Sequence, residues 1–269
     1  MVRQQIPSNP TNPQKCLSRV WWKATLYCIG ILLCSFWILK DDWQTWDGLQ
    51  GLAQATIVTA YILILLRIGM PLNYHPRKKV LHSNLGYGTW ITIARAMLIA
   101  ILAGYLFQPW PQSHHFPGWL SWTPGGLYLL ASLLDYLDGR VARATEHESG
   151  LGEFLDINVD ALGLLVAPVV AFGYGQLPGA YLSVGIAYYL LIFGIRLRRK
   201  FSLPVYKVPP RSSARIIAGV QMGFVGIALL PVLPPLVTTA AAYVLMIPLW
   251  AGFVKDWMIA SGYGKNGPN

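Results

Sequence analysis

The sequence predicts an all-α polytopic membrane protein with eight spanning helices, and three observations carry that prediction. The 269 residues are 54% hydrophobic and only 12% charged, with a mean hydropathy of +0.44. Apolar runs recur along the chain at close to the ~20 residues a helix needs to cross the hydrocarbon. Cations gather in alternate connections, the asymmetry that orients a multispanning chain.

The runs fall at about 24–39, 54–73, 90–107, 119–137, 153–175, 178–195, 214–233 and 236–254. The first is flanked by Lys23 and lacks a small-residue cleavage site, so it is expected to be a retained helix and not a cleaved signal. With the N-terminus inside, the inner segments carry Arg19, Lys23, Arg140, Arg143, the cluster from Arg196 to Arg215, and Lys255; the outer connections hold only Lys40. This puts both termini in the cytoplasm, with Arg67 snorkelling at the inner end of the second run. The outer connections offer Trp43, Trp46, Trp110, Trp119 and Trp122, suited to the headgroup boundary, and His114 and His115, read as solvated. Cys16, Cys28 and Cys34 lack metal-ligand spacing and are read as reduced. A net charge of +10 placed in this way is a topology signal, which excludes a nucleic-acid partner.

The polar stretch "NYHPRKKVLHSNLGYGTW", broken by Pro76, Gly86 and Gly88, divides the chain. Residues 1–88 form a cytoplasmic tail, two spanning helices and a basic linker; residues 89–258 form a six-helix unit; residues 259–269 form a mobile tail.

The chemistry lies in "LLDYLDGRVARATEHESGLGEFLDINVDALG", residues 133–163. It places Asp135, Asp138, Asp156 and Asp160 among apolar runs, where ionisable groups mark function by default. Asp135, Asp138, Gly139, Ala142 and Arg143 fall on one stripe of a helix, and Gly152, Asp156 and Asp160 on one stripe of the next. A hairpin of the two, with facing stripes, would gather the carboxylates at the cytoplasmic end. Four such groups repel one another unless cations intervene. Oxygen-only ligands select Mg²⁺ or Mn²⁺, and a paired site of that kind suits phosphate chemistry. The small residues Gly139, Ala142 and Gly152 fit either approach of a ligand to the backbone or close helix packing. Arg143 can contact a phosphate or hold a carboxylate.

The pattern D-x2-D-G-x2-A-R-x8-G-x3-D-x3-D, complete here, resembles the signature of the CDP-alcohol phosphotransferase family. The resemblance implies a six-helix catalytic core over about 89–258, with two extra helices before it. It implies metal-dependent transfer of a phosphatidyl or related group from a CDP-linked donor, such as CDP-diacylglycerol, to an alcohol, with release of CMP. Asp135, Asp138, Asp156 and Asp160 would hold two Mg²⁺ or Mn²⁺ ions, and Asp160 would also act as general base. Thr92, Arg95, Asp138, Gly139, Ala142, Arg143 and Gly152 would bind the nucleotide. "TWITIAR" is similar to the family's N-x-x-T-x-x-R element, with Thr89 in place of the asparagine. A homodimer is implied as well.

Arg211 and Arg215 fall where they are expected to reach the aspartate cleft, which suits a phosphorylated acceptor such as glycerol 3-phosphate or inositol phosphate. Two other readings differ in what they require. An intramembrane prenyltransferase carries two separate DDxxD-like motifs, and this chain has one motif. A transporter spreads its acids through the membrane depth, and here they cluster.

Overall fold

The computed structural model describes residues 13–39, 45–74, 82, 84–107, 120–145, 147–206, 208–209 and 211–263. They form eight α-helices: α1 (Pro13–Leu39), α2 (Thr45–Gly69), α3 (Tyr87–Ala103), α4 (Thr123–Ala144), α5 (Gly150–Gly173), α6 (Leu182–Lys200), α7 (Ser212–Ala228) and α8 (Pro235–Ser261). No strand occurs among the described residues. Each helix answers to one of the eight apolar runs. Lys40, Trp43, Trp110, His114, His115, Trp119, Pro76, residues 1–12 and 264–269 and the side chains of Cys16 and Trp46 lie outside the described residues, while residues 259–261, expected in the C-terminal tail, instead continue α8. Cys28 is buried and free, and Cys34 is exposed and free.

Five helices, α1, α2, α5, α6 and α8, are long and apolar enough to cross a membrane, so the chain is an integral membrane protein. The other three differ from the expected uniform spans for two reasons. α3 and α7 are apolar but only 17 residues long, about 26 Å at 1.5 Å per residue. α4 has the length, but its C-terminal half carries Asp135, Asp138, Arg140 and Arg143.

The centre of the bundle is α3, twelve of whose 17 residues are buried. It packs between α4 and α5, and also against α2 and α1. The expected hairpin of facing α4 and α5 stripes is therefore corrected: those helices scarcely touch, and α3 is wedged between them. The wedge fits because Gly88 lets α3 approach α4 closely. A Cβ there would lie 2.8 Å from both the Ala142 Cβ and the Asp138 carbonyl oxygen. Small residues at such crossings are how membrane helices gain van der Waals contact without a hydrophobic driving force.

The remaining elements close around this trio. α7 packs on α4 and α5, α6 packs on α5, and α8 packs on α6 and α7. Gly262 ends α8 in the left-handed conformation, φ +80°, which glycine adopts without a Cβ penalty. Arg198 anchors the chain after α6 by donating to the Pro204 carbonyl at 3.0 Å and the Ser261 carbonyl at 3.1 Å. On the other side, Trp21 Nε1 of α1 donates to the Leu63 carbonyl of α2 at 3.1 Å. Arg67, expected to snorkel, lies with its guanidinium 5.7 Å from the Trp21 ring centroid, a cation–π contact that also keeps it at the helix end.

Gly185 of α6 shows how tight the α5–α6 crossing is: a Cβ there would lie 2.5 Å from the Leu164 carbonyl oxygen and 2.9 Å from the Leu165 Cα. Backbone cannot swing aside as a side chain can. Gly185→Val is expected to destabilise the protein by about 1–3 kcal/mol through overpacking, read as a lower thermal unfolding midpoint in detergent. Gly223→Val, where nothing lies within 4 Å, is expected to leave the midpoint nearly unchanged.

Candidate active site

Three helices build the site. α3 presents Thr92 and Arg95 one turn apart, α4 presents Asp135 and Asp138, and α5 presents Asp156 and Asp160. Ser149 fixes the start of α5 as its N-cap, its hydroxyl accepting from the Gly152 N–H at 3.1 Å.

Arg95 is the hub. Its side chain is completely buried, and its guanidinium ion-pairs with all four aspartates. Nη1 donates to Asp135 Oδ1 and lies 3.8 Å from Asp138 Oδ2. Nη2 donates to Asp156 Oδ1 at 2.9 Å and lies 3.1 Å from Asp160 Oδ1. Thr92 Oγ1 is 2.9 Å from Asp138 Oδ2 and 3.1 Å from the Gly88 carbonyl; its single proton favours the charged acceptor. The planar fork of arginine suits this position, since one cation must serve carboxylates from two helices that scarcely touch.

One guanidinium cannot neutralise four carboxylates. The other nearby arginines do not help: Arg140 lies over the Tyr136 ring, 4.2 Å from its centroid, and Arg143 folds along Gly139. The remaining negative charge is what a divalent cation would satisfy. Asp135, Asp156 and Asp160 each offer an oxygen within 4.8 Å of the others, a grouping able to hold an ion. Asp160 Oδ1 is buried and makes no hydrogen bond among the described residues. Asp138 stands apart, engaged by Thr92.

Beside the quartet opens a cleft of about 360 Å³. Of the residues singled out in the sequence, Thr92, Asp138, Gly139, Ala142, Arg143, Gly152, Asp156 and Arg215 line it. Arg95 does not: it is enclosed among the acids. Arg211 does not reach the cleft either. It pairs with Asp256 of α8 and donates to the Gly252 carbonyl at 3.3 Å, beside a separate apolar cavity between α5, α6, α7 and α8. The expectation that both arginines reach the cleft is thus corrected for Arg211, because Asp256, 45 residues away in sequence, captures it.

The small residues divide by what they face. Gly88 and Ala142 meet at the α3–α4 contact. A Cβ on Gly139 would meet only the Arg143 side chain, at 3.3 Å, and one on Gly152 would make ordinary contacts of 3.5 Å, so both leave the cleft wall open. The cleft also takes His147, Glu148, Ser149 and Glu153 from the turn into α5, which the sequence reading left aside. Ser149 was findable from its N-cap position; His147 carries no local signal.

The model of the CDP-alcohol phosphatidyltransferase family matches residues 86–257. This chain belongs to that family. The match takes in every helix that frames the cleft and quartet, α3 to α7, and most of α8, and leaves α1 and α2 outside. Among similar proteins is the CDP-diacylglycerol–glycerol-3-phosphate 3-phosphatidyltransferase of Cereibacter sphaeroides, 30% identical over 111 residues, covering 41% of this chain and 46% of that protein. Another is choline/ethanolaminephosphotransferase 2 of Arabidopsis thaliana, 28% identical over 128 residues, covering 46% of this chain and 32% of that protein. The chain therefore spans less than half the length of either relative. No solved structure matches it significantly. Family membership fits the acid cluster, because the family is generally metal-dependent.

Removing the hub leaves the buried Asp138 and the half-exposed Asp135, Asp156 and Asp160 without their shared cation, which destabilises the site by less than breaking a fully buried pair would. Arg95→Gln is expected to lower the thermal midpoint in chelator by several degrees. Millimolar Mg²⁺ or Mn²⁺ should narrow the gap to wild type, measured by the same unfolding assay.

Proposed function

We propose that this protein transfers a phosphatidyl or similar phospho-alcohol group from a CDP-linked donor, such as CDP-diacylglycerol, to an alcohol, releasing CMP, as a step of phospholipid synthesis. The observation that carries the proposal is the convergence of Asp135, Asp156 and Asp160 on one point beside a cleft lined by the rest of the motif. The six-helix unit over 89–258 is the proposed catalytic domain, supported by the family match over 86–257.

In this reading Asp135, Asp156 and Asp160 hold Mg²⁺ or Mn²⁺, with Asp138 completing the acidic wall on the nucleotide side. When bound, such ions neutralise phosphate charge and ease departure of the nucleotide. Gly139 and Gly152 admit the nucleotide to the backbone, and Arg143 and Thr92 flank it. Asp160 takes the proton of the acceptor hydroxyl. The freed oxygen forms a bond to the β-phosphorus of the donor, and the bond from that phosphorus to the bridging oxygen breaks, its electron pair leaving with CMP. Arg95 holds the carboxylates in register across α3.

Arg215 lines the cleft and supports a phosphorylated acceptor, such as glycerol 3-phosphate or inositol phosphate, through paired donors to phosphate. Arg211 has no part in this reading, since Asp256 holds it away from the cleft. The cation asymmetry of the sequence supports a cytoplasmic active site. A homodimer rests on the family resemblance.

The test is CMP release from reconstituted protein supplied with CDP-diacylglycerol, Mg²⁺ and one acceptor at a time. One acceptor is expected to drive release that a chelator abolishes. Asp160→Asn should slow it by about 10²-fold or more, the usual contribution of a positioned base. Arg215→Gln is expected to raise the acceptor KM about tenfold with donor KM unchanged, whereas Arg211→Gln should leave acceptor KM within about twofold. No release with any acceptor overturns the reading.

A further inference from the structure

The helices α1 and α2 lie outside the family match, yet the structure ties them to the wall of the cleft. The tie runs through Asn73, just after the short 3-10 turn (Met70–Leu72) that ends α2. Asn73 is fully buried. Its Nδ2 donates to the His82 carbonyl at 3.1 Å and to the Asn84 carbonyl at 3.2 Å, and its own carbonyl accepts from the His82 N–H at 2.8 Å. Both amide protons are thus spent on one short segment of chain.

That segment carries His147. The imidazole of His82 stacks on that of His147, with centroids 3.9 Å apart and planes 28° from parallel. His147 Nε2 lies 3.4 Å from the Asn84 carbonyl, the same oxygen that the Asn73 amide engages. His147 in turn lines the cleft. A parallel tie reaches α5: the Tyr74 carbonyl accepts from the Gly150 N–H at 3.2 Å, next to the Ser149 cap. The fit there is tight, since a Cβ on Gly150 would lie 3.0 Å from the Leu72 carbonyl oxygen and one on Gly69 2.7 Å from Leu151 Cδ1.

We propose that Asn73 is a positioning residue for the nucleotide: it clamps residues 82 and 84 so that His147 is held as a rigid ring in the cleft wall, and the inner end of α2 thereby sets the affinity for the CDP moiety. The inference rests on the reading of the cleft as the nucleotide site. A side chain ordered in advance spares the ligand the entropy of ordering it, and releasing one such side chain weakens binding by about three- to tenfold. Asn73 touches neither the acids nor the acceptor side, so its influence falls on donor affinity.

The experiment uses full-length protein in detergent with Mg²⁺, CMP as the titrated ligand, and donor and acceptor kinetics beside it. Asn73→Ala and His82→Ala are each expected to raise the CMP Kd and the donor KM about three- to tenfold, with kcat and acceptor KM within about twofold of wild type. The double variant Asn73→Ala/His147→Ala should bind CMP no more weakly than His147→Ala alone, because both act through one ring. Trp21→Phe, which removes the bond from α1 to the Leu63 carbonyl, should lower the thermal midpoint without moving the CMP Kd. If Asn73→Ala does not fold, His82→Ala carries the test, since Asn73 engages only the backbone of that residue. An unchanged CMP Kd in His82→Ala, additive losses in the double variant, or a CMP Kd that follows general loosening in Trp21→Phe overturns the proposal. Failure of wild-type protein to bind CMP sinks the nucleotide reading itself, a result distinct from any of these.

Discussion

The rest of the structure depends on one buried guanidinium held by four carboxylates. Acids from α4 and α5 gathered around one point repel one another, and the buried Arg95 of α3 is the cation that the chain itself supplies. This constraint dictates the order of the helices. α3 must stand between the two acid-bearing helices, where its side chain reaches both, and most of α3 is consequently buried. The close approach at Gly88 and Ala142 follows from the same demand, since the arginine reaches Asp135 and Asp138 only if α3 and α4 nearly touch.

The same arrangement separates two jobs that the motif mixes along the chain. Asp135, Asp156 and Asp160, each half-exposed, bring an oxygen to within 4.8 Å of the others. Asp138, Gly139, Ala142, Arg143 and Gly152 line the opening beside them. Asp156 belongs to both groups, and so joins the charged cluster to the cleft. A helix stripe read from spacing alone puts all of these on one surface; in the structure they form two sets that share Asp156.

Much of this was legible in the sequence. Eight apolar runs became eight helices, and the spaced acids marked the carboxylate cluster, because helical period and hydropathy are local properties. What escaped reading was the partnership of distant residues. Arg95 carries no sign that it lies among four acids from 40 to 65 positions further on. Arg211 looks as free as Arg215 until Asp256 is packed beside it. Asn73 and His147 belong to polar connections that have no periodicity, and only the folded contact between the end of α2 and the start of α5 gives them a common place. The stripe logic predicted convergence correctly and misjudged its means, since the choice between a direct hairpin and an intervening helix depends on which third element fits the gap.

The shortness of α7 has a further consequence. It is about 26 Å long at helical rise, and it presents Ile216, Val220 and Ile227 outward. The surrounding hydrocarbon is about 30 Å thick. A short helix is accommodated by local thinning of the bilayer, by snorkelling of flanking residues or by association with another chain. Arg215, in the first turn of α7, stands at one end of this short apolar face and also on the wall of the cleft. On the proposed reading, thinning along this face would shorten the path of a lipid headgroup from its own layer to the aspartates.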